Sequence, residues 1–167
     1  MKRVLITGHN GYLGSVMAPH LAAAGYDVVG LDTGYFSECT LTPDAGQVKA
    51  VKKDLRDLVP KDLEGFNAVI HLGALSNDPI GNLNDGWTEE INYKASVTLA
   101  ELAKKAGVER FLFSSSCIMY GASNTLDVNE DSPLDPKTES ATISCQFLEA
   151  NSAELREAHA EIAEARP

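Results

Sequence analysis

Three glycines in eight residues, Thr7-Gly8-His9-Asn10-Gly11-Tyr12-Leu13-Gly14, constrain this chain more than anything else in it. They follow Lys2-Arg3-Val4-Leu5-Ile6, a short apolar β-branched run that reads as a buried strand. They open into Tyr12 to Ala24, which reads as a helix. A strand that turns directly into a helix needs Gly8 for the tight turn, and Gly11 allows close backbone approach. Gly14 then lets the helix pack against the strand. The first helical turn carries N–H groups without intrahelical partners and the positive end of the helix dipole, so it can hold a pyrophosphate. Glycines also mark ordinary turns; the strand before, the helix after and an acid further on favour a dinucleotide site.

That acid is Asp32, at the end of the second strand, Asp27-Val28-Val29-Gly30-Leu31. A carboxylate there can accept hydrogen bonds from both ribose hydroxyls of an adenosine and repels a 2′-phosphate, which favours NAD over NADP. The alternative for Asp32 is a solvated turn residue. Between these elements, Leu13, Val16, Met17, Leu21 and Ala24 recur at helical spacing, Pro19 predicts a kink or a loosened turn, and Gly25 a stop.

Thr33 to Gly46 reads as a loop over the adenosine side, and Val48 to Lys53 as a third strand ending at Asp54-Leu55. Those two residues either flank an adenine ring or cap the next turn. Arg56 to Glu64, broken by Pro60, has room only for short helical turns. Asn67 to Leu72 is a fourth, buried strand in which His71 reads as a packed residue. Gly73-Ala74 at its end are small enough to admit a cofactor, and Ser76 opens a turn-rich loop. Trp87 to Ala106 places Trp87, Ile91, Ala95, Leu99, Leu102 and Ala106 on one helical face, with Asn92 near its start as a cofactor contact or a surface residue. Val108 to Ser115 is a fifth strand, followed by a serine run and a turn-rich loop to Lys137. Beyond it Leu148, Leu155 and Ile162 recur every seven residues in an Ala- and Glu-rich tail.

Alternating strands and helices with right-handed crossovers predict an α/β, Rossmann-type, doubly wound parallel sheet. The candidate residues then fall at strand carboxyl ends, where such sheets bind ligands. A net charge of −10 disfavours nucleic acid and anionic membranes as partners. Three widely spaced cysteines, with no transmembrane run or signal peptide, point to a reducing cytoplasm.

With these residues in order, the chain resembles the extended short-chain dehydrogenase/reductase family, in its NAD-dependent nucleotide-sugar epimerase/dehydratase group. The resemblance is carried by Thr7 to Gly14, Asp32, Asp54-Leu55-Arg56-Asp57, His71-Leu72-Gly73-Ala74, Asn92, Ser114-Ser115-Ser116 leading to Tyr120-Gly121, and Glu130 to Pro136. It implies sheet order 3-2-1-4-5, and an NAD-binding domain over residues 1–138 with a divergent C-terminal helix over 139–167. It implies cofactor contacts at Gly8, Asn10, Gly11, Tyr12, Leu13, Gly14, Asp32, Asp54, Leu55, Leu72, Gly73, Ala74, Ser76, Asn92 and Ser114. Ser116 matches the serine that hydrogen-bonds the reacting oxygen of a nucleotide-sugar.

The family's base is a tyrosine in a Tyr-x-x-x-Lys pair, the lysine lowering the phenol's pKa. Here Ser140 and Ser144 hold those positions. The resemblance also implies a substrate region beyond this stretch, so the expected fold is truncated before it. Three readings stand: the NAD-binding domain of an epimerase/dehydratase-type protein without full catalysis, an active oxidoreductase with an unusual base, or a regulatory or structural protein. In the last, the C-terminal helix binds a partner or a second copy.

Overall fold

The computed structural model describes residues 1–39, 48–75, 84–121, 128–129, 132–137 and 142. It divides into two compact units, Met1–Ser114 and Ser115–Pro167. Among the described residues, no helix is long and apolar enough to cross a membrane.

In the first unit, β1 (Arg3–Thr7), β2 (Asp27–Asp32), β3 (Lys49–Lys52), β4 (Ala68–His71) and β5 (Arg110–Phe113) form one sheet in the order β3-β2-β1-β4-β5. All four pairings are parallel. This is the expected Rossmann-type order. It places every strand's carboxyl end on one edge of the sheet.

Alternation along the central strands divides the core in two. Val4, Ile6 and Val28 face α1 (Tyr12–Ala23) and pack with Ala18. Leu5, Val29, Leu31 and Val69 face the other way, against Leu99, Leu102 and Ala103 of α2 (Ala95–Lys105). Two 3-10 turns, Leu55–Asp57 and Pro60–Leu63, add Leu55, Leu58 and Leu63 to that second layer. Of the edge strands, β3 is exposed along its length, whereas β5 alternates, Arg110 and Leu112 outward and Phe111 and Phe113 partly buried.

Two helical expectations need correction. α1 runs through Pro19 without ending there, as expected, but only part of the predicted apolar face turns inward: Leu21 packs on the core and Met17 is half-buried. Leu13 is 54% exposed and Val16 67%, whereas Gly14 and Ala18 are buried. The reason is distance. A Cβ at Gly14 would lie 2.3 Å from the Gly8 carbonyl oxygen, so the helix start approaches the turn too closely for larger residues on its inner face.

The second helix is not continuous α-helix. A single turn (Asp85–Thr88) passes into a π-helical segment (Glu89–Lys94) before α2 begins. The wider π turn shifts the phase of the side chains that precede α2. Trp87 is therefore 44% exposed, while Asn92, off the predicted apolar face, is buried.

Leu99 is fully buried in the α2 layer. Leu99→Ala should lower the unfolding free energy by about 2–5 kcal/mol. Leu13→Ala, on the exposed side of α1, should change it by less than about 1 kcal/mol. Urea unfolding of the two variants checks the assignment of faces, and equal losses would contradict it.

Candidate functional site

At the carboxyl edge, β1 ends in a turn that only glycine can make. Gly8 has φ +72, and a Cβ there would lie 2.8 Å from the Gly73 nitrogen and 2.9 Å from the Gly73 Cα. Its N–H donates to the Leu31 carbonyl at 2.8 Å, tying the turn to β2, and the Leu72 N–H donates to the Thr7 carbonyl at 3.2 Å, tying β4 to it. Gly11 is the N-cap of α1, with extended backbone and no side-chain cap, and the first turn holds no acidic residue. Ser15 makes the first intrahelical bond, to the Gly11 carbonyl at 2.9 Å. The amides of Tyr12, Leu13 and Gly14 thus precede the helical ladder and form the positive end of a twelve-residue helix.

Asp32 lies beside this turn at the end of β2. Its carboxylate accepts the Asn10 N–H at 3.2 Å and the Gly34 N–H at 2.8 Å, and it remains only part-buried. Each oxygen keeps further lone-pair capacity. Fifteen candidate cofactor contacts were expected; the structure brings Gly8, Asn10, Gly11, Gly14, Asp32, Leu55, Leu72 and Gly73 to adjoining strand ends.

Other expected contacts are placed differently. Tyr12 and Leu13 are exposed at the start of α1, Ala74 is exposed beyond β4, and Ser114 follows β5, its N–H donating to the His71 carbonyl at 3.2 Å. Asp54 caps the first 3-10 turn through the Arg56 N–H at 2.9 Å, and Arg56 also grips it through Nε at 3.0 Å and Nη2 at 2.8 Å. Those side-chain bonds hold the Asp54 carboxyl below its usual range. Leu55 is buried and abuts Gly73, where a Cβ would lie 3.0 Å from its Cδ1. Ser76 lies outside the described residues.

Asn92 uses both ends of its amide on one neighbour. Oδ1 accepts the Leu75 N–H at 2.8 Å, and Nδ2 donates to the Leu75 carbonyl at 3.0 Å. The π segment thereby ties down the chain just past Gly73.

A buried polar chain lies beneath these contacts, and sequence reasoning did not find it. Ser96 donates its hydroxyl hydrogen to the Asn92 carbonyl at 2.8 Å, so toward His71 Nε2, at 2.7 Å, it accepts. Nε2 therefore carries the proton of a neutral ring, and Nδ1 accepts from the Thr7 hydroxyl at 2.6 Å. Thr7 Oγ1 in turn accepts the Gly73 N–H at 3.3 Å. The order of donors runs unbroken from Gly73 to Asn92. Burial pushes the His71 imidazole down to about 4, in keeping with a neutral ring. The signal in the sequence was a histidine and a serine inside otherwise apolar segments, but their pairing is set by tertiary contact.

The second unit holds Ser116, half-buried, just before a 3-10 turn at Cys117–Tyr120. Asp135 donates its N–H to the Met119 carbonyl at 2.9 Å, and Lys137 pairs with the Asp135 carboxylate at 2.7 Å. Ser140, Ser144 and the Leu148–Leu155–Ile162 stripe lie outside the described residues.

The profile of the NAD dependent epimerase/dehydratase family matches residues 4–143. The chain belongs to this family. UDP-glucose 4-epimerase of Corynebacterium glutamicum is 30% identical over 138 residues, covering 80% of this chain and 41% of that protein. A putative UDP-glucose 4-epimerase of Methanocaldococcus jannaschii is 31% identical over 138 residues, covering 80% of this chain and 44% of that protein.

Among solved structures, TunA, an NAD dependent NDP-hexosamine 5,6-dehydratase involved in tunicamycin biosynthesis, superposes with a TM-score of 0.81 at 29% identity. That match covers 93% of this chain and 50% of TunA. UDP-glucose 4-epimerase from Stenotrophomonas maltophila, solved with bound NAD and formylated UDP-arabinopyranose, superposes with a TM-score of 0.79 at 25% identity, covering 93% and 48%. The chain thus spans half or less of the length of these family members.

The polar chain makes a pH prediction. Unfolded, His71 takes up a proton near its ordinary 6.5; folded, only near 4. Between those values the unfolded state binds more protons, so stability is present above about 6.5 and is lost as pH falls toward 4. The loss attributable to His71 is on the order of 3 kcal/mol. Urea unfolding at several pH values should show His71→Asn less stable than wild type at neutral pH but losing less on acidification. Parallel pH slopes would refute the buried neutral ring.

Proposed function

We propose that this chain is the NAD-binding half of a nucleotide-sugar epimerase/dehydratase-type protein and that, by itself, it binds the dinucleotide without turning over a sugar. The observation that carries the binding reading is the Asp32 carboxylate, held by the Asn10 and Gly34 amides beside the uncapped start of α1. Asp32 would accept the hydroxyls of an adenosine ribose, and the amides of Tyr12 to Gly14 would hold the pyrophosphate. The cradle suits a dinucleotide sterically. Gly11 is exposed at the helix start, and the bare backbones of Gly8 and Gly73 keep side chains out of the junction between β1 and β4. When bound, NAD supplies a hydride acceptor; the protein's part is to orient it.

Ser140 and Ser144, where the family carries tyrosine and lysine, support the absence of turnover. A serine hydroxyl is far too weak an acid to replace the phenol, and nothing cationic sits at the lysine position to shift it. Lys137 is already paired with Asp135. Loss of a general base costs about 10²–10⁴-fold in rate.

Calorimetry with both cofactors should show NAD binding at least about tenfold more tightly than NADP, the scale of one unfavourable like-charge contact. Asp32→Ala should narrow that gap. Equal affinities in the wild type would overturn the role of Asp32.

Incubation with NAD and UDP-, dTDP-, GDP- and CDP-sugars, followed by chromatography, should yield neither epimerised nor dehydrated product. Product formed at an enzyme-like rate would favour an oxidoreductase with an unusual base.

A further inference from the structure

Gly30 stands inside β2, next to the centre of the sheet, where a β-branched residue packs well and glycine weakens the strand. The structure explains it. A Cβ at Gly30 would lie 2.3 Å from Cγ, 2.4 Å from Cδ2 and 2.7 Å from Nδ1 of His9. The imidazole occupies the space that any side chain at position 30 would need.

On the opposite side, a Cβ at Gly14 would meet the His9 Cα at 2.6 Å and its carbonyl carbon at 2.8 Å. His9 is thus clamped between β2 and the first turn of α1, and is only 3% exposed. Its Nδ1 is buried with no hydrogen-bond partner. A ring kept at a polar cost inside the glycine turn calls for a reason beyond filling space.

Its neighbours provide one. Asn10, the next residue, donates its N–H to Asp32 Oδ2 at 3.2 Å. Asp32 lies two residues beyond Gly30 and so on the same face of β2. We infer that His9 is a positioning residue for the dinucleotide site. Its ring, seated on Gly30, sets the separation between the glycine turn and β2 at which the Asn10 N–H reaches Asp32 and aims the carboxylate at an adenosine ribose. The inference rests on the NAD reading given above. The determinant is the pair. Filling position 30 expels the ring, removing the ring leaves β2 with an empty seat, and exchanging the bulk between the two positions restores the spacing.

The test is a double-mutant cycle in the chain as it exists, with Gly30→Val, His9→Ala and both together. Two quantities are read, NAD affinity by calorimetry and amide hydrogen exchange of Asn10 well below the thermal midpoint. Gly30→Val should weaken NAD and speed Asn10 exchange by about tenfold each, and the double variant should return to within about threefold of wild type, a coupling of the size seen between touching residues. If Gly30→Val fails to fold, Gly30→Ala meets the same ring and takes its place in the cycle.

Additive effects, or wild-type behaviour in the Gly30 variant, overturn the inference. Coupling confined to the thermal midpoint, with NAD affinity and Asn10 exchange unmoved, marks a packing pair alone and also overturns it. Should the wild type bind no NAD, the proposed function fails. Asn10 exchange then decides the positioning claim by itself, recovery in the double variant supporting it and additivity refuting it.

Discussion

The carboxyl edge of the sheet depends on how closely two backbones meet at Gly8 and Gly73. A single Cβ at Gly8 would drive into the start of the chain beyond β4, and that approach is what allows β1 to end in a left-handed turn while β4 continues alongside it. The consequences spread outward from this contact. Gly14 must be small because α1 starts directly over the turn, so the helix buries Gly14 and Ala18 and leaves Leu13 and Val16 outside, while Leu21 further along packs on the core. The helix start, brought against the strand ends in this way, offers its unpaired amides at the same edge as Asp32.

A second constraint operates below the surface. The Gly73, Thr7, His71, Ser96 and Asn92 groups form a directed set of hydrogen bonds through a layer that is otherwise apolar, with Phe111 and Phe113 beside the His71 ring. A network of this kind stabilises only when every member is satisfied, since a lone buried donor costs more than a hydrogen bond returns. The π segment is part of the solution. It carries the Asn92 amide onto Leu75, while Ser96 reaches the Asn92 carbonyl one turn back, so the chain beyond β4 is tied to this helix. The backbone cradle is therefore supported from the far layer of the core, not only by the turn itself.

Local charge runs against the global balance at this edge. The protein carries a net charge of −10, yet the first turn of α1 has no acidic residue and no side-chain cap. Screening limits long-range repulsion to about 10 Å at ordinary ionic strength, so the nearby amides and dipole dominate what an anion meets there. Asp32 is the acid beside this helix start, and two backbone N–H groups hold its carboxylate. Asp54 shows the contrast. It occupies the analogous place after β3, but Arg56 and the cap of a 3-10 turn engage it.

The parallel α/β class, the glycine turn and the place of Asp32 were legible in local signals, β-branched runs, glycine at a strand end and the handedness of crossovers, while the strand order came from the family resemblance. His71 was likewise readable as a packed strand residue. The inner face of α1 was not, because periodicity marks apolar residues and the helix start is governed by clearance. Nor was the π segment, whose Asn92 bonds Leu75, seventeen residues earlier. By itself, the sequence determined the alternation of parallel strands and helices and which residues stand at the strand ends. Tertiary structure alone decided that His71 joins Thr7 to Ser96 and that Gly30 is the seat of His9, since these depend on atoms that meet only after distant segments have packed.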